Sequence, residues 1–420
     1  MNEPAPYSSL VDRLNRFPQG APPSESLYAI LKILFSEREA GLVAQLPIQP
    51  FSALDASRIW KMDLTEARKV LDGLAEKAIL LDAGRQGETV YTLPPPMAGF
   101  FEFSMMRMRE DVDQQLLAEL YTQYCTTEED SMRSLFTGGD THPGRVFVHE
   151  PVLPQVSVLD YERASEVIRS ASARAVGVCY CRHKMARLGK ACSAPKEICM
   201  TFGGTADSLV RHGYGRAVDE IEGLDLLQQA YENNLVQFGE NAREGVSFIC
   251  NCCGCCCEAL IAQRRFSLLR PIHTSNFQPE VDRERCSGCG KCVAACPVEA
   301  MGLISANDPQ RPNRKLARLA EELCLGCGVC VRTCTNGGLK LILRGERVIT
   351  PMNGVHRIVL MAIERGKLQD LVFDNHVLFS QRALALLLGA ILKLPPLKQA
   401  MATQQFKSRY LESLIRRVMV

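Results

Sequence analysis

Eighteen of the 19 cysteines fall into four groups, at residues 179–199, 250–257, 286–296 and 324–334, and Cys125 alone stands apart. Two of these groups repeat one spacing. Residues 286–297 read CSGCGKCVAACP, and residues 324–334 read CLGCGVCVRTC, with Thr335 where the first run has its proline. Three thiolates on a tight glycine-containing turn can grip three iron corners of one cube. The fourth cysteine, expected to begin the following helix, reaches a second cube. This crossing assigns Cys286, Cys289, Cys292 and Cys334 to one 4Fe-4S cluster, and Cys324, Cys327, Cys330 and Cys296 to another. Zinc fits poorly, because it takes four tetrahedral ligands rather than two interlocked runs of four. Gly288, Gly290, Gly326 and Gly328 are expected to let the backbone approach the cluster and aim N–H groups at its sulfides.

Over residues 280–345 the chain resembles the bacterial dicluster ferredoxins. The 27-residue gap between Cys296 and Cys324 is longer than in the smallest members. It contains SANDPQRPNRK, a polar loop insertion that leaves the ligand runs intact.

The other ten grouped cysteines form two further motifs. Cys179, Cys181, Cys192 and Cys199 are spaced C-x-C-x10-C-x6-C, and ICNCCGCCC supplies Cys250, Cys252, Cys253, Cys255, Cys256 and Cys257. So many like-charged thiolates are costly without a cation to neutralise them, so this region reads as a metal site. One or two further iron–sulfur clusters lead the readings; zinc ranks below them, and a thiol redox site or structural cysteines below zinc. Arg182 and His183 follow the first pair and read mainly as counter-charge. The whole arrangement is similar to a group of ferredoxin-domain proteins that join a winged-helix N-terminus, a C-x-C-R segment, a CNCCGCCC segment and a dicluster ferredoxin. That resemblance covers residues 25–345 and implies an iron–sulfur oxidoreductase component, with no substrate attached.

The elements that position these residues read as an α+β multidomain chain. Residues 1–24, with five prolines, read as a flexible tail. Residues 25–97 read as a winged helix-turn-helix: SESLYAILKILFSERE, SALDASRIWKM and DLTEARKVLDGLAEKA as helices, then a hairpin of ILLDA and TVYTL around GRQGE. Asp63 and Glu66 have capping-box spacing. Between Ala53 and Thr92 six basic residues face seven acidic ones, so the basic footprint of a DNA reader is weak. Residues 98–172 read as a helical linker whose Met105, Met106 and Met108 belong to a core. Residues 173–275 read as a cysteine-rich α/β domain. Its apolar runs ARAVGVCYC and EGVSFICNC flank a helix, which predicts a neighbouring parallel strand pair with both Cys-x-Cys pairs at the carboxyl ends. Residues 276–345 are the ferredoxin module, and residues 346–420 a helical C-terminal segment.

Composition bounds the rest. The chain has 420 residues, 46% of them hydrophobic, with a formal net charge of +2, so no global field points to nucleic acid or membrane. MNEPAPYSSL has no signal-peptide pattern and no apolar run reaches membrane-spanning length, which predicts a cytoplasmic protein. The nucleotide-binding, metalloprotease, haem-attachment and radical-SAM motifs are missing. The expected function is single-electron transfer through two 4Fe-4S clusters to or from the second cysteine site, with a redox protein as partner and no catalytic residue assigned. Two alternatives are a redox-sensing winged-helix regulator and a subunit docked on a membrane complex. The second rests on Ala383–Leu392 and the basic residues Lys393, Lys398, Lys407, Arg409, Arg416 and Arg417.

Overall fold

The computed structural model describes residues 5–85, 87–129, 133, 139–152, 158–266 and 272–372. The chain divides into two units. One comprises Met1–Thr141, Gly204–Arg216 and Met352–Val420, and the other His142–Gly203 and Ala217–Pro351. The expected domains 173–275 and 276–345 thus lie almost wholly within one unit, and the linker 98–172 is shared between both.

In the first unit, residues expected to be a flexible tail form a helix, α1 (Ala5–Arg16). Tyr7, Leu10, Val11 and Leu14 recur at helical spacing and are all buried. Buried Arg13 donates to the Leu46 carbonyl at 2.6 Å. The single helix expected over SESLYAILKILFSERE is two, α2 (Glu25–Leu34) and α3 (Glu37–Val43). Ser36 starts the second by closing a capping box with Glu39, and Phe35 is extended between them. There follow β1 (Phe51–Ser52), α4 (Ala53–Trp60), α5 (Leu64–Glu76), β2 (Leu81–Arg85) and β3 (Glu88–Thr92). The expected hairpin forms, with Leu81 opposite Thr92, and the unforeseen β1 completes a sheet of order β1-β3-β2. Asp63 caps α5 by accepting the Thr65 and Glu66 N–H groups. The Glu66 carboxylate, however, pairs with Arg38 at 2.8 Å instead of closing the box.

Met105 and Met106 are buried as expected, but Met108 is 70% exposed. Cys125 is buried, with its thiol donating to the Met97 sulfur at 3.5 Å. The inserted segment Gly204–Arg216 is tied to β2 through buried Asp82. That carboxylate accepts from Ser208 Oγ at 2.6 Å and from Arg211, and lies 3.1 Å from His212 Nε2. Ala383–Leu392 and the basic tail lie outside the described residues, and among those described no helix is long and apolar enough to cross a membrane.

The second unit is built on a six-stranded sheet of order β4-β8-β9-β6-β5-β7. Its strands are β4 (Gly144–Val146), β5 (Arg174–Val178), β6 (Glu197–Phe202), β7 (Arg216–Ala217), β8 (Val236–Glu240) and β9 (Phe248–Cys252). The expected neighbouring parallel pair does not occur. β5 and β9 each pair antiparallel with β6, which lies between them. Their carboxyl ends still share one end of the sheet, because two antiparallel steps restore the direction. The missed strand, EICMTF, carries Cys199 to that same end. One face of the sheet buries Phe147, Met200, Phe202 and Ile249 against Ile168, Leu227 and Tyr231, from the helices Ala164–Ser170 and Glu220–Glu232.

The other face, through Val146, Val236 and Phe238, packs on the ferredoxin segment. There β10 (Phe277–Val281) pairs antiparallel with β13 (Leu339–Leu343), and β11 (Met301–Ser305) with β12 (Lys315–Leu319). The polar insertion SANDPQRPNRK is therefore the end of β11, the loop it makes with β12, and the first residue of β12.

Candidate metal centres

Each ferredoxin run is a loop followed by a short helix, Lys291–Ala295 in the first and Val329–Arg332 in the second. The third cysteine of each run, Cys292 or Cys330, sits in the helix, while Cys296 caps the end of the first helix and Cys334 follows the second. The fourth cysteine thus ends the helix rather than beginning it. The helices start at Gly290 and Gly328, whose φ of 77° and 86° turn the chain into its first helical residue. Gly326 meets a further demand: a Cβ there would stand 2.1 Å from the Phe277 carbonyl oxygen.

Two cavities take up the eight thiols. One is lined by Cys286, Cys289, Cys292 and Cys334. The other is lined by Cys296, Cys324, Cys327 and Cys330. Each cavity draws three thiols from one run and the fourth from the other. Backbone N–H groups point at the sulfurs: Ala317 at Cys286 (3.4 Å), Ala300 at Cys296 (3.2 Å) and Gly326 at Cys324 (3.4 Å). The cavities differ in exposure. Cys289 in the first is exposed, and the Lys291 N–H draws its pKa down. Cys324, Cys327 and Cys330 in the second are buried, and burial pushes Cys327 up to about 12. Thiols so placed become thiolates only when a cation compensates them, which is the donor chemistry of a metal centre.

The ten upstream thiols are brought to one end of the six-stranded sheet, in two sets. Six form a closed ring of neighbours: Cys179 beside Cys181 and Cys199, Cys250 beside Cys199 and Cys252, and Cys257 beside Cys181 and Cys252. Strand register makes part of this ring. Met200 pairs with Ile249, so Cys199 faces Cys250 one step on, and Cys250 and Cys252 share a face of β9. The other four, Cys192, Cys253, Cys255 and Cys256, have their sulfurs all within 4.8 Å of one another. Among the described residues no other group of cysteine, histidine or acidic side chains converges so closely.

Charged groups near the ring are buried. Arg182 is fully buried and donates to the Pro195 and Asn251 carbonyls, each at 2.9 Å. Burial alone would lower its pKa, but Cys179, Cys253, Cys199 and Cys252 lie near enough to raise it. Its Nε is buried without a hydrogen-bond partner, a donor suited to the sulfur of a bound anionic cluster. His183 accepts from Arg187 Nε at 3.3 Å.

Sequence reasoning missed the next pair. Lys184, in the helix Tyr180–Arg187, meets Glu258, in the helix Glu258–Arg265, at 2.5 Å, and Tyr180 donates to the same carboxylate at 2.8 Å. Glu258 directly follows Cys257 and Lys184 lies three residues after Cys181, and that nearness was the available signal.

The ring and the inner ferredoxin cavity share one apolar core. It buries Cys252 and Cys257 with Cys324, Cys327, Val298 and Leu325, and Cys181, Cys250 and Cys296 pack against it.

Residues 278–340 match the family model of the 4Fe-4S dicluster domain. The chain therefore carries an iron–sulfur dicluster domain within a larger cysteine-rich protein. No curated protein and no solved structure matches the chain.

Proposed function

We propose that the protein transfers single electrons between a partner protein and an iron–sulfur centre at the six-thiol ring, as a component of an oxidoreductase. In this reading Cys286, Cys289, Cys292 and Cys334 hold an outer 4Fe-4S cluster, and Cys324, Cys327, Cys330 and Cys296 an inner one. The ring of Cys179, Cys181, Cys199, Cys250, Cys252 and Cys257 holds a further iron–sulfur centre. When bound, such clusters supply one-electron redox steps.

The observation that carries this reading is the apolar core common to the ring and the inner cavity. It packs thiols of both sets into one buried apolar cluster, with no polar side chain among its members. The chain's own residues do the rest. Backbone N–H groups steady the sulfurs, Arg182 offsets thiolate charge, and exposed Cys289 marks the face where a redox partner docks. Because no three ring thiols converge on one point, the ring suits a multinuclear centre better than a single ion. The N-terminal helices, β1 and the β2–β3 hairpin read as a winged helix, serving as a docking or structural module. Free clustered thiols suit the reducing cytoplasm.

Iron and sulfide counting with EPR on anaerobically purified protein tests the proposal. Two four-iron clusters account for about eight irons per chain, and the proposal expects more. A count near eight, with spectra unchanged after Cys179, Cys250 and Cys257 are replaced by Ser, would remove the ring centre.

A further inference from the structure

The four remaining upstream thiols differ in kind from the other fourteen grouped cysteines. Cys192 Sγ lies 3.6 Å from Cys253 Sγ and 3.8 Å from Cys256 Sγ, and Cys255 Sγ lies 3.7 Å from Cys256 Sγ. A zinc–thiolate bond of about 2.3 Å in a regular tetrahedron sets neighbouring sulfurs about 3.8 Å apart. A four-iron cube binds each thiolate through a different iron and holds the sulfurs wider than this. The same structure supplies the contrast, since neither the ferredoxin thiols nor the ring thiols gather in this way.

We propose that Cys192, Cys253, Cys255 and Cys256 form a separate closed site for one zinc ion. Two backbone N–H groups already serve the set, that of Ala194 at the Cys192 sulfur and that of Cys192 at the Cys256 sulfur. Four protein ligands leave no open position, and zinc has no redox chemistry, so the site is structural. Its place in the fold says what it holds. Cys253, Cys255 and Cys256 lie on the loop between Cys252 and Cys257, both of them ring members. Cys192 lies on the segment leading into β6, which carries the ring's Cys199. The ion therefore clamps together the two segments that present four of the six ring thiols: Cys199, Cys250, Cys252 and Cys257. Buried Arg182, beside Cys253 of this set and Cys179, Cys199 and Cys252 of the ring, separates the two negative centres.

The test measures zinc and iron together by mass spectrometry on full-length protein purified anaerobically. About one zinc per chain is expected, with X-ray absorption at the zinc edge showing four sulfur neighbours at about 2.3 Å. Cys255→Ser, at the exposed position of the set, is expected to lose most of the zinc while keeping the iron and EPR signals of the two ferredoxin clusters. Cells grown with cobalt are expected to yield wild-type protein with the visible bands of tetrahedral tetrathiolate cobalt. This measurement does not depend on any variant folding. Wild-type protein without zinc, zinc with nitrogen or oxygen neighbours, or a Cys255→Ser protein that loses iron instead of zinc would each overturn the proposal. Zinc is read separately from iron, so failure of the ring's iron–sulfur reading would leave this result distinguishable.

Discussion

Gly254 lies against the backbone of Pro297: a Cβ on Gly254 would stand 2.3 Å from the Pro297 carbonyl oxygen and 2.9 Å from its Cα. Gly254 sits in the middle of the CNCCGCCC loop, and Pro297 follows Cys296. The two cysteine regions thus meet backbone to backbone. Arg264 reinforces the contact by donating to the Gly254 carbonyl at 2.8 Å and pairing with Glu299 at 2.9 Å.

Gly254→Ala is expected to destabilise the protein by roughly 1–3 kcal/mol, because neither backbone can yield without moving a thiol-bearing loop. Anaerobic thermal unfolding should show a lower midpoint. Gly73→Ala, in α5 with no atom near its added methyl, should be neutral or stabilising by up to about 1 kcal/mol. An equal loss in both variants would discard the close-approach argument.

Cys296→Ser should disturb the inner cluster, although Cys296 belongs to the first run. Iron content should fall, and the EPR signal that remains should be that of the cluster on the exposed side. Cys334→Ser should give the converse. If each substitution affected the cluster of its own run, the crossed pairing of the two cavities would be wrong.

Lys184→Met leaves the Glu258 carboxylate buried without its ammonium partner, and should cost about 3–5 kcal/mol. Lys184→Met with Glu258→Gln should recover much of that loss, since the double variant buries no lone charge. Denaturant unfolding of the wild type, both single variants and the double variant measures the coupling. Additive losses would show that the pair does not act as one unit.

Asp82 is expected to contribute to acid stability in the first unit. Burial raises its pKa, but the hydrogen bond from Ser208 and the charges of His212 and Arg211 outweigh that and hold it below the usual carboxylate value. A lowered folded-state pKa contributes stability that is present above the unfolded value of about 3.9 and is lost as pH falls below it. Asp82→Asn should therefore destabilise the protein by roughly 1–3 kcal/mol at neutral pH and flatten the loss of stability below about pH 4. A variant whose acid unfolding matches the wild type would show that Asp82 carries none of it.

The ferredoxin segment was legible because its chemistry is local. Three cysteines within seven residues, with glycines between them, shape one loop whatever surrounds it. The position of the fourth cysteine was misread, because Gly290 and Gly328 start the helix earlier than expected. α1 was hidden by its prolines, although Tyr7, Leu10, Val11 and Leu14 already carried a helical stripe.

By itself the sequence determined that eighteen cysteines are grouped and that eight of them repeat the dicluster spacing; it led to the expectation that those eight form two crossed sets and that the other ten hold a metal. Tertiary structure alone divided those ten into six and four. β6 slips between the two strands expected to be neighbours, because EICMTF pairs with both, and so delivers Cys199 to the ring while the segment before it delivers Cys192 to the other set. Cys252 and Cys253 are adjacent in the chain yet separate in space. Successive residues at the end of a strand point to opposite sides: Cys252 joins the core shared with the ferredoxin segment, and Cys253 packs beside Ile198, Ala230 and Leu235. Which side faces which partner depends on how the sheet is covered, and that is decided only when the whole chain has folded.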